Sequence, residues 1–502
     1  MPADAAGPVG SPRQDCRAKV AGLDLQTATF VDLQKAMTAG RLTSVQLVKA
    51  YLGRIAAYDG PTNSIRQLSP TALAHAKALD AERKAGRLRG PLHGIPILLK
   101  DNIGTADQAT TAGSIALEGL RPRKDATLVA RLRAAGAVVL GKTNLSEFAN
   151  WVDLSMPNGY SSLGGQVKDA YRLGDPSGSS SGSGVAGSMA FAAATFGSET
   201  SGSILSPSSV NGLVGVKPTL GLVSRDGVIP LAAGFDTAGP MARNVADAAA
   251  LLGAVAATDP ADDATVKADA LRRDYAGLVR RASLKGVRLG YSQSGRDGLS
   301  ARDARVYEAA LKDLTRLGAV LVATDALDTA GDVGLAELGL IPNDFKGNLD
   351  HYLATYAPTP KSGVKTLADV VLFNNDHPDK VKYGQKLLIA SAAQPGSREA
   401  AAAGALALRT AMGAIIDQGL VRDNLAAFVA PAASYANIGA SAGYPTVVVP
   451  AGLSGEVAPM GLSFMGTAYN DHLLLQYAAA FEAGTHRRVP PTVVNPDLLT
   501  GC

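Results

Sequence analysis

Short apolar runs recur along the chain, and helical patterns lie between them. The runs predict buried strands at 95–99, 137–140, 287–291, 319–322, 428–430 and 446–449. Because strands and helices alternate, and the strands are apolar throughout, we expect helices on both faces of one large β-sheet. The pattern therefore indicates an α/β fold, without an internal repeat or a clear domain break.

Three of the predicted helices have recognisable ends. Thr43 and Gln46 have the spacing of a capping box, and apolar residues then fall on one helix face, namely Leu47, Val48, Tyr51, Leu52 and Ile55. A second helix is expected to take Asp125 as its N-cap and to stop at Gly136. A third should stop at Gly318, directly before the strand at 319–322.

Composition and charge exclude several classes of protein. The chain has 502 residues, of which 46% are hydrophobic and 18% charged, with a net charge of +4 and no block of Lys or Arg. A globular enzyme is therefore expected, and a nucleic-acid partner is not. No apolar run reaches about 18 residues, so we expect no membrane span. The start lacks a signal-peptide pattern, which favours the cytoplasm, although export after signal removal stays open.

Cysteine and histidine usage does not indicate metal chemistry. The two cysteines, Cys16 and Cys502, lie near opposite ends, and the six histidines have no metal-ligand spacing. We expect no metal and no other cofactor. A disulfide between the two cysteines and a pair of free thiols both remain open.

The stretch GSSSGSGVAG at 178–187 fits two patterns at once. As G-x-S-x-G it would be a nucleophile elbow with Ser180 as nucleophile, followed by a helix in the Ala-rich segment 184–196. As G-x-G-x-x-G it would cradle a dinucleotide. Both patterns need a buried strand before the loop, and residues 171–176 do not read as one. A third interpretation is the serine-capped start of a helix.

Two further stretches change this picture, PLHGIPILLKDNI at 91–103 and FGSETSGSILSPSSVNGLVGVKP at 196–218. In the first, Lys100 follows the apolar run 95–99. A lysine at the end of an apolar strand usually extends its amine to solvent. If the amine is buried instead, its pKa falls and it can serve as a base.

The three stretches together resemble the amidase signature family of hydrolases. The motifs are KDN at 100–102, SGSSSGS at 177–183 and GSETSGS at 197–203, with 24 positions between Ser179 and Ser203. Flanking segments are similar too, including LGKTNLSEF, GVKPT, DTAGPM and GYPTVVVPAG. The resemblance extends from about residue 25 to 490 and is greatest to the bacterial peptide amidase branch.

This resemblance implies a fold, a domain division and an activity. It implies a single mixed β-sheet, a loose segment at 1–25, a catalytic domain at 26–490 and a tail at 491–502. The implied activity is hydrolysis of a peptide or small-molecule amide through an acyl-enzyme, foremost C-terminal peptide amides, by a monomer or homo-oligomer. Aryl-acylamidase, carbamate or ester hydrolysis with the same residues is an alternative, as is an amidotransferase subunit that releases ammonia from glutamine.

Catalytic roles carry over to this sequence residue by residue. The family pattern makes Ser203 the nucleophile and Lys100 the base. Ser179 is the serine that bridges them, on a cis peptide bond after Gly178. Backbone N–H groups for the oxyanion are expected from the residues before the nucleophile, namely Thr200, Ser201 and Gly202.

Supporting roles and departures from the family pattern complete this set. Support is expected from Glu199, Ser180 and Asp101, the last together with its neighbour Asn102. Many relatives have an arginine where this chain has Leu205, and Ser201 replaces a usual glycine. The family pattern therefore does not define which residues of this chain face the substrate. Four aromatic residues in 340–400 either line the pocket or pack normally: Phe345, Tyr352, Tyr356 and Phe373.

Overall fold

One sheet of eleven strands runs through the molecule. The computed structural model describes residues 18–328, 330, 337–356 and 360–499. The described residues form fifteen strands, eleven of them in this sheet. In chain order they are β1 (Lys19–Val20), β2 (Leu23–Asp24), β3 (Ile65–Leu68), β4 (Pro96–Lys100), β5 (Val138–Thr143), β6 (Tyr160–Ser161), β7 (Gly165–Gln166), β8 (Ala194–Glu199), β9 (Val214–Lys217), β10 (Thr237–Ala242), β11 (Arg288–Tyr291), β12 (Val320–Ala323), β13 (Ala427–Pro431), β14 (Thr446–Ser454) and β15 (Ala458–Met465).

The large sheet is mixed. Its spatial order is β12-β11-β13-β15-β14-β9-β10-β8-β4-β5-β3, while β1–β2 and β6–β7 form separate two-stranded ribbons. Strand β4 is parallel to β5 and β8, and β11 is parallel to β12 and β13. The remaining pairs in the sheet are antiparallel. The predicted α/β class is confirmed, and each of the six predicted strands overlaps a strand of this sheet.

Helices cover the sheet. They are α1 (Phe30–Thr38), α2 (Ser44–Tyr58), α3 (Ala72–Lys84), α4 (Thr127–Ala134), α5 (Ser181–Ser188), α6 (Leu205–Val210), α7 (Val245–Val255), α8 (Ala268–Leu271), α9 (Tyr275–Leu278), α10 (Gln293–Asp297), α11 (Ala301–Arg316), α12 (Glu337–Tyr356), α13 (Leu367–Asn375), α14 (Lys386–Ala392), α15 (Arg398–Arg422), α16 (Ala436–Ala442), α17 (Asp471–Thr485) and α18 (Pro491–Val494).

Three of the four predicted helix termini are confirmed, and one predicted start is wrong. Thr43 and Gln46 form the expected reciprocal cap of α2. The chain turns after α4 and α11 at Gly136 (φ +89°) and Gly318 (φ +95°), where glycine accepts a left-handed backbone. Asp125 is not the N-cap of α4, since Ala126 holds that position. The Asp125 carboxylate instead accepts a hydrogen bond from the Ala106 N–H at 2.8 Å.

The Ala-rich segment 184–196 is only partly helical. Helix α5 ends at Ser188, Ala190 has φ +52°, and β8 begins at Ala194. The register pairs Ala194 with Ile97 of β4, so sheet pairing overrides the helix preference of alanine here. Because α5 ends at Ser188, the following residues can form β8 and pair with β4.

Two hydrophobic clusters hold these layers together. The larger surrounds the sheet and includes Leu98, Val139, Phe196 and Leu252, all fully buried. A second cluster packs α12, α13 and α14 against the loops near Phe148 and Ile229. The region 340–400 therefore forms a helical layer beside the carboxyl ends of β4 and β8.

The ends of the chain and one apolar helix complete the description. Cys16 and Cys502 lie outside the described residues. Of the segment 1–25, residues from 18 onward form the β1–β2 ribbon, and the division at 25 and 490 stays a prediction. Helix α15 (Arg398–Arg422) is long and apolar enough to cross a membrane by length and composition alone. One such helix is weak evidence for a membrane span, and 33% of its apolar window is buried in the structure.

Candidate active site

Lys100 ends β4 with its side chain fully buried. The preceding residues of the strand are apolar and inaccessible to solvent, so water does not reach the amine. Burial lowers the pKa of Lys100 to about 7, against the opposing effect of the Asp236 and Glu199 carboxylates. Of the two interpretations of this lysine, the structure supports the buried amine and not the solvent-directed one.

Three oxygen atoms surround the amine of Lys100. Its Nζ lies 2.7 Å from Ser179 Oγ, 3.0 Å from Ser198 Oγ and 3.2 Å from the Ser198 carbonyl oxygen. A neutral amine has two N–H groups and one lone pair. The carbonyl can only accept, so at least one N–H is directed to Ser198. The lone pair remains for a hydroxyl, and Ser179 is the shorter contact.

Ser179 lies in a crowded loop between β7 and α5. The peptide bond from Gly178 to Ser179 is cis, as the resemblance implies. A Cβ at Gly178 would lie 2.6 Å from Ser146 Oγ, so a larger residue here would displace the Ser146 side chain. The Ser179 carbonyl accepts a hydrogen bond from the Ser146 N–H at 3.1 Å, which fixes this part of the loop to the segment after β5.

Ser203 lies beside this loop and is almost buried, with 8% of its surface exposed. The Ser180 N–H donates to the Ser203 carbonyl at 3.2 Å and thereby joins the two serine-containing segments. Among the hydrogen bonds of the described residues, none links Ser179 Oγ with Ser203 Oγ. The structure thus brings Lys100 and Ser179 into direct contact and places Ser203 next to them through the backbone.

The three residues before Ser203 form a turn at the end of β8. Thr200 is buried and directs its hydroxyl to Asp236 Oδ1 at 2.5 Å. Gly202 has φ +82°, a left-handed conformation that suits glycine. Ser201 is partly exposed. The predicted oxyanion donors therefore lie in one turn directly before Ser203.

Glu199 stabilises this turn through hydrogen bonds of its carboxylate. Its Oε2 accepts hydrogen bonds from the N–H groups of Ile204 (2.7 Å) and Leu205 (2.9 Å) at the start of α6. Burial raises the pKa of Glu199, opposed by the positive charge of Lys217 and by these backbone N–H groups. These contacts agree with the supporting role expected of Glu199.

Asp101 and Asn102 hold the end of β4 in place. Thr111 Oγ1 donates to Asp101 Oδ2 at 2.5 Å, and the Asp101 carbonyl accepts two further backbone hydrogen bonds. Asn102 Nδ2 donates to Ser198 Oγ at 2.8 Å. The second residue therefore contacts the same hydroxyl as Lys100, one step from the amine.

The remaining serines of the glycine-rich loop bond to the backbone. Ser180 Oγ donates to the Ser198 carbonyl at 3.1 Å, Ser181 Oγ to the Ser177 carbonyl at 2.6 Å and Ser183 Oγ to the Phe196 carbonyl at 3.0 Å. The described segment 168–180 contains no strand, and Ser180 is fully buried. Neither the elbow nor the dinucleotide pattern has the strand that it requires.

Two residues of the site were not identified from the sequence, Ser198, which contacts Lys100, and Asp236, which contacts Thr200. Ser198 stands inside the quoted motif GSETSGS, directly before Glu199, and its position at the end of a buried strand was the available signal. Asp236 opens the quoted segment DTAGPM, but its contact with Thr200 spans 36 positions in sequence. That contact follows from the pairing of β10 with β8, which the sequence does not specify.

A cavity of about 160 Å³ is bordered by Asp236, the partner of Thr200. Apolar and aromatic side chains line part of it, namely Val228, Pro230, Tyr352 and Tyr356, and charged side chains line the rest, among them Arg225, Asp226, Asp262 and Arg398. The other two aromatic residues singled out in the sequence pack normally: Phe345 is fully buried against Phe148, and Phe373 stacks on His377. Within the described ranges, no group of three metal-ligating side chains comes together.

Comparisons with known proteins agree with this geometry. The family model for amidases matches residues 46–387. A probable amidase of Arabidopsis thaliana is 36% identical over 484 residues, covering 94% of this chain and 92% of the plant protein. The crystal structure of native peptide amidase from Stenotrophomonas maltophilia has a TM-score of 0.85 and 43% sequence identity, covering 93% of this chain and 98% of that chain.

A third relative belongs to a different functional class. It is one of the subunits of the glutamyl-tRNA(Gln) amidotransferase of Streptomyces coelicolor, 37% identical over 332 residues, which cover 66% of this chain and 65% of that protein. The family model alone spans more than half of the chain, and the sheet and helices match those of solved amidases along nearly its full length. The chain therefore belongs to the amidase family and is an amide-hydrolysing enzyme.

Proposed function

We propose that this enzyme hydrolyses carboxamides, foremost the C-terminal amides of peptides, through an acyl-enzyme on Ser203. The observation that carries the proposal is the fully buried amine of Lys100, 2.7 Å from Ser179 Oγ. A serine hydroxyl is a poor nucleophile until a base removes its proton. Lys100 is such a base because its pKa of about 7 leaves much of it neutral near neutral pH.

The proton moves from Ser203 to Lys100 through Ser179. When Ser203 Oγ attacks the carbonyl carbon, Ser179 Oγ takes its proton and gives its own to the lone pair of Lys100. The two contacts of the amine with Ser198 direct its N–H groups away from this path. The transfer from Ser179 to Lys100 uses the existing 2.7 Å contact, while the transfer from Ser203 to Ser179 requires the two hydroxyls to come within hydrogen-bond distance when substrate binds.

The negative charge that develops on the carbonyl oxygen needs fixed donors. The backbone N–H groups of Thr200, Ser201 and Gly202 serve as these donors in the proposal, since they precede the nucleophile in one turn. A single donor of this kind is worth about 2.7–4 kcal/mol. The N–H of Gly202 also faces the Glu199 carboxylate, which leaves Thr200 and Ser201 as the main donors.

The reaction completes in two halves. Collapse of the first tetrahedral intermediate breaks the C–N bond, and the relay returns the proton to the leaving nitrogen, which departs as ammonia. Water then attacks the ester on Ser203 and gives its proton to the same relay. The second collapse releases the carboxylic acid and restores the Ser203 hydroxyl.

A peptide amide is the substrate favoured by similarity. The chain is 43% identical to a peptide amidase over nearly all of both chains. The cavity bordered by Asp236 is lined by Val228, Pro230 and two tyrosines but also by arginine and aspartate side chains, so the substrate proposal rests on the similarity. The leaving amide nitrogen needs little space of its own.

The test is an activity panel on the wild-type enzyme and the Ser203→Ala variant. We expect release of ammonia from C-terminal peptide amides, trapping of an acyl group on the Ser203 peptide by mass spectrometry, and loss of both in S203A with the fold intact. Turnover of aryl carbamates, nitroanilides or esters with inert peptide amides would reject the substrate assignment. An active S203A enzyme would reject the mechanism.

The second candidate role, as part of an amidotransferase, rests on the 37% identity to a protein of that class. Leu205 stands where many relatives have an arginine, which removes a cation that could bind an amino-acid carboxylate. Ammonia release from glutamine, together with a stable complex in gel filtration of a cell extract, would favour this role. The cytoplasmic location and the oligomeric state both remain predictions.

A further inference from the structure

A carboxylate from another part of the chain supports the turn before Ser203. Thr200 Oγ1 donates to Asp236 Oδ1 at 2.5 Å. The other oxygen, Oδ2, accepts hydrogen bonds from the N–H groups of Leu231 (2.8 Å) and Ala232 (3.0 Å). Asp236 therefore ties the turn at 200–203 to the loop at 231–236.

This tie begins where the strand pairing stops. In the antiparallel pair of β8 and β10, Glu199 lies opposite Thr237, and this is the last pair before the turn. Beyond it, Thr200 leaves the ladder, so its own side chain must fix it. The hydroxyl of Thr200 is buried and its acceptor is anchored by two backbone groups, which leaves this residue little freedom to rotate.

Asp236 also acts on Lys100 through its charge. Burial raises the pKa of Asp236 to about 6, so the carboxylate is largely ionised at neutral pH. The charged groups that face it are Lys100, Arg225 and Asp344, of which Asp344 raises its pKa further. Its negative charge is the largest influence that opposes the effect of burial on the Lys100 amine.

The hydrogen bonds of Asp236 argue against a direct role in substrate binding. A carboxylate offers about four acceptor positions, and three are occupied by Thr200, Leu231 and Ala232. Although Asp236 borders the cavity, both of its oxygens already bind protein donors. Its remaining influence acts through Thr200 and through its charge.

We propose that Asp236 is a positioning residue that fixes the oxyanion turn through the Thr200 hydroxyl. The proposal rests on the proposed function of the site. It assigns Asp236 no contact with the reacting atoms. Substitutions at the two ends of the Thr200–Asp236 hydrogen bond test it.

The donor of this hydrogen bond is tested with Thr200→Val, with Thr200→Ser as its matched control. We expect T200V to lower kcat about 10–100-fold with KM within about threefold, because the turn loses its fixed orientation but keeps its charges. T200S keeps the hydroxyl and should recover most of the lost kcat. The pH at which kcat/KM reaches half of its plateau should stay unchanged in T200S, which keeps the hydrogen bond that lowers the pKa of Asp236.

The acceptor of this hydrogen bond is tested with Asp236→Asn, with Asp344→Asn as its control. In D236N the Lys100 ammonium loses its stabilising neighbour, so we expect the acid limb of kcat/KM to move to lower pH, with kcat reduced about 10–100-fold through Thr200. Asp344 accepts hydrogen bonds from Ala233 and Gly234 in the same loop but has no contact with Thr200. D344N should leave the acid limb near its wild-type position.

Several results would overturn the proposal without touching the proposed function. One is a T200S enzyme as slow as T200V, which would show that the hydroxyl does not matter. Another is a D236N enzyme with wild-type kcat and an unmoved acid limb. Melting temperatures of all four variants identify any effect of unfolding, and T200V with T200S keeps the test decisive if D236N does not fold. The proposed function itself fails if S203A stays active, or if peptide amides are inert while carbamates, nitroanilides or esters turn over.

Discussion

Two lysines are buried in neighbouring strands of this sheet, and their surroundings differ. Lys100 ends β4 and Lys142 lies in β5, where it is paired with Leu99. Both side chains are fully buried. Burial lowers the pKa of Lys100 to about 7 and that of Lys142 to about 8. Neighbouring positions of two adjacent strands therefore hold two amines with lowered pKa values.

The two amines differ in their hydrogen-bond partners. Lys142 donates to the Ile103 carbonyl and to Thr110 Oγ1, and the Asp101 carboxylate opposes the effect of burial on its pKa. None of these acceptors leads to a nucleophile. Lys100 contacts the hydroxyls of Ser179 and Ser198, and Ser203 lies next to that pair. The comparison teaches that burial makes a lysine less basic, but its hydrogen-bond partners decide whether it can act as a base.

The largest effect is expected from Lys100→Met. Without its base the enzyme should lose about 10⁴-fold in kcat/KM. Holding this amine at a pKa of about 7 instead of about 10.4 costs roughly 4 kcal/mol at neutral pH. The folded pKa lies below the unfolded one, so this cost is largest below pH 7 and disappears above about pH 10. K100M should therefore melt at an equal or higher temperature at neutral pH, although Ser198 loses a donor.

The outcome for K100M is measured by steady-state kinetics and by thermal unfolding at pH 6 and pH 10. A variant that keeps more than about a tenth of the activity would contradict the role of Lys100 as the base. A strongly destabilised variant at pH 6 would place Lys100 in the same structural class as Lys142.

Lys142→Met should have the opposite pattern. The substitution leaves the buried Asp101 without its main positive neighbour and removes a donor from Thr110, so we expect a loss of about 3 kcal/mol or more in the free energy of unfolding. The kcat of the folded fraction should stay within about tenfold of the wild type. Urea unfolding followed by fluorescence checks the first value, and active-site titration checks the second. An equally stable K142M enzyme would break the comparison.

Much of this architecture could be predicted from the sequence, because it is encoded locally. Apolar runs gave the strands, and Thr43 and Gln46 gave the start of α2. Lys100, Ser179 and Ser203 stand in the motifs that carry the resemblance. Asp125 was wrongly expected to cap α4 because a carboxylate that fits a cap can also bind a distant N–H, here that of Ala106.

What could not be predicted depends on contacts between distant segments. The Ala-rich segment after α5 becomes a strand because β4 pairs with it. Ser198 contacts Lys100 and Asp236 contacts Thr200 because β8 lies between β4 and β10 in the folded sheet. No local pattern distinguishes such a serine or aspartate from one with an ordinary structural role.

Ser198→Ala sharpens the comparison with the smallest change. Ser198 Oγ lies 3.0 Å from Lys100 Nζ and accepts a hydrogen bond from Asn102, while the Ser198 carbonyl remains in the variant. An ammonium group gains more from such an acceptor than a neutral amine does, so its loss should move the acid limb of kcat/KM slightly to lower pH. We expect kcat to fall about tenfold, since the lone pair of Lys100 is less well directed.

The control for S198A is Ser183→Ala. Ser183 donates to the Phe196 carbonyl of the same strand but does not contact Lys100. Its loss should cost about 1 kcal/mol of stability and leave the acid limb in place. A shift of the limb in S183A equal to that in S198A would show that the effect is not specific to the amine.

The most direct test of a neutral Lys100 as the base is the pH dependence of the acylation of Ser203. The first-turnover release of nitroaniline from a peptide nitroanilide, or of nitrophenol from an ester if the anilide is inert, reports this step before deacylation. We expect the rate to rise with pH through a single ionisation near pH 7, and to lose this limb together with its magnitude in K100M. A rate that does not change between pH 5 and 9, or one that survives in K100M, would contradict the role of Lys100 in the mechanism.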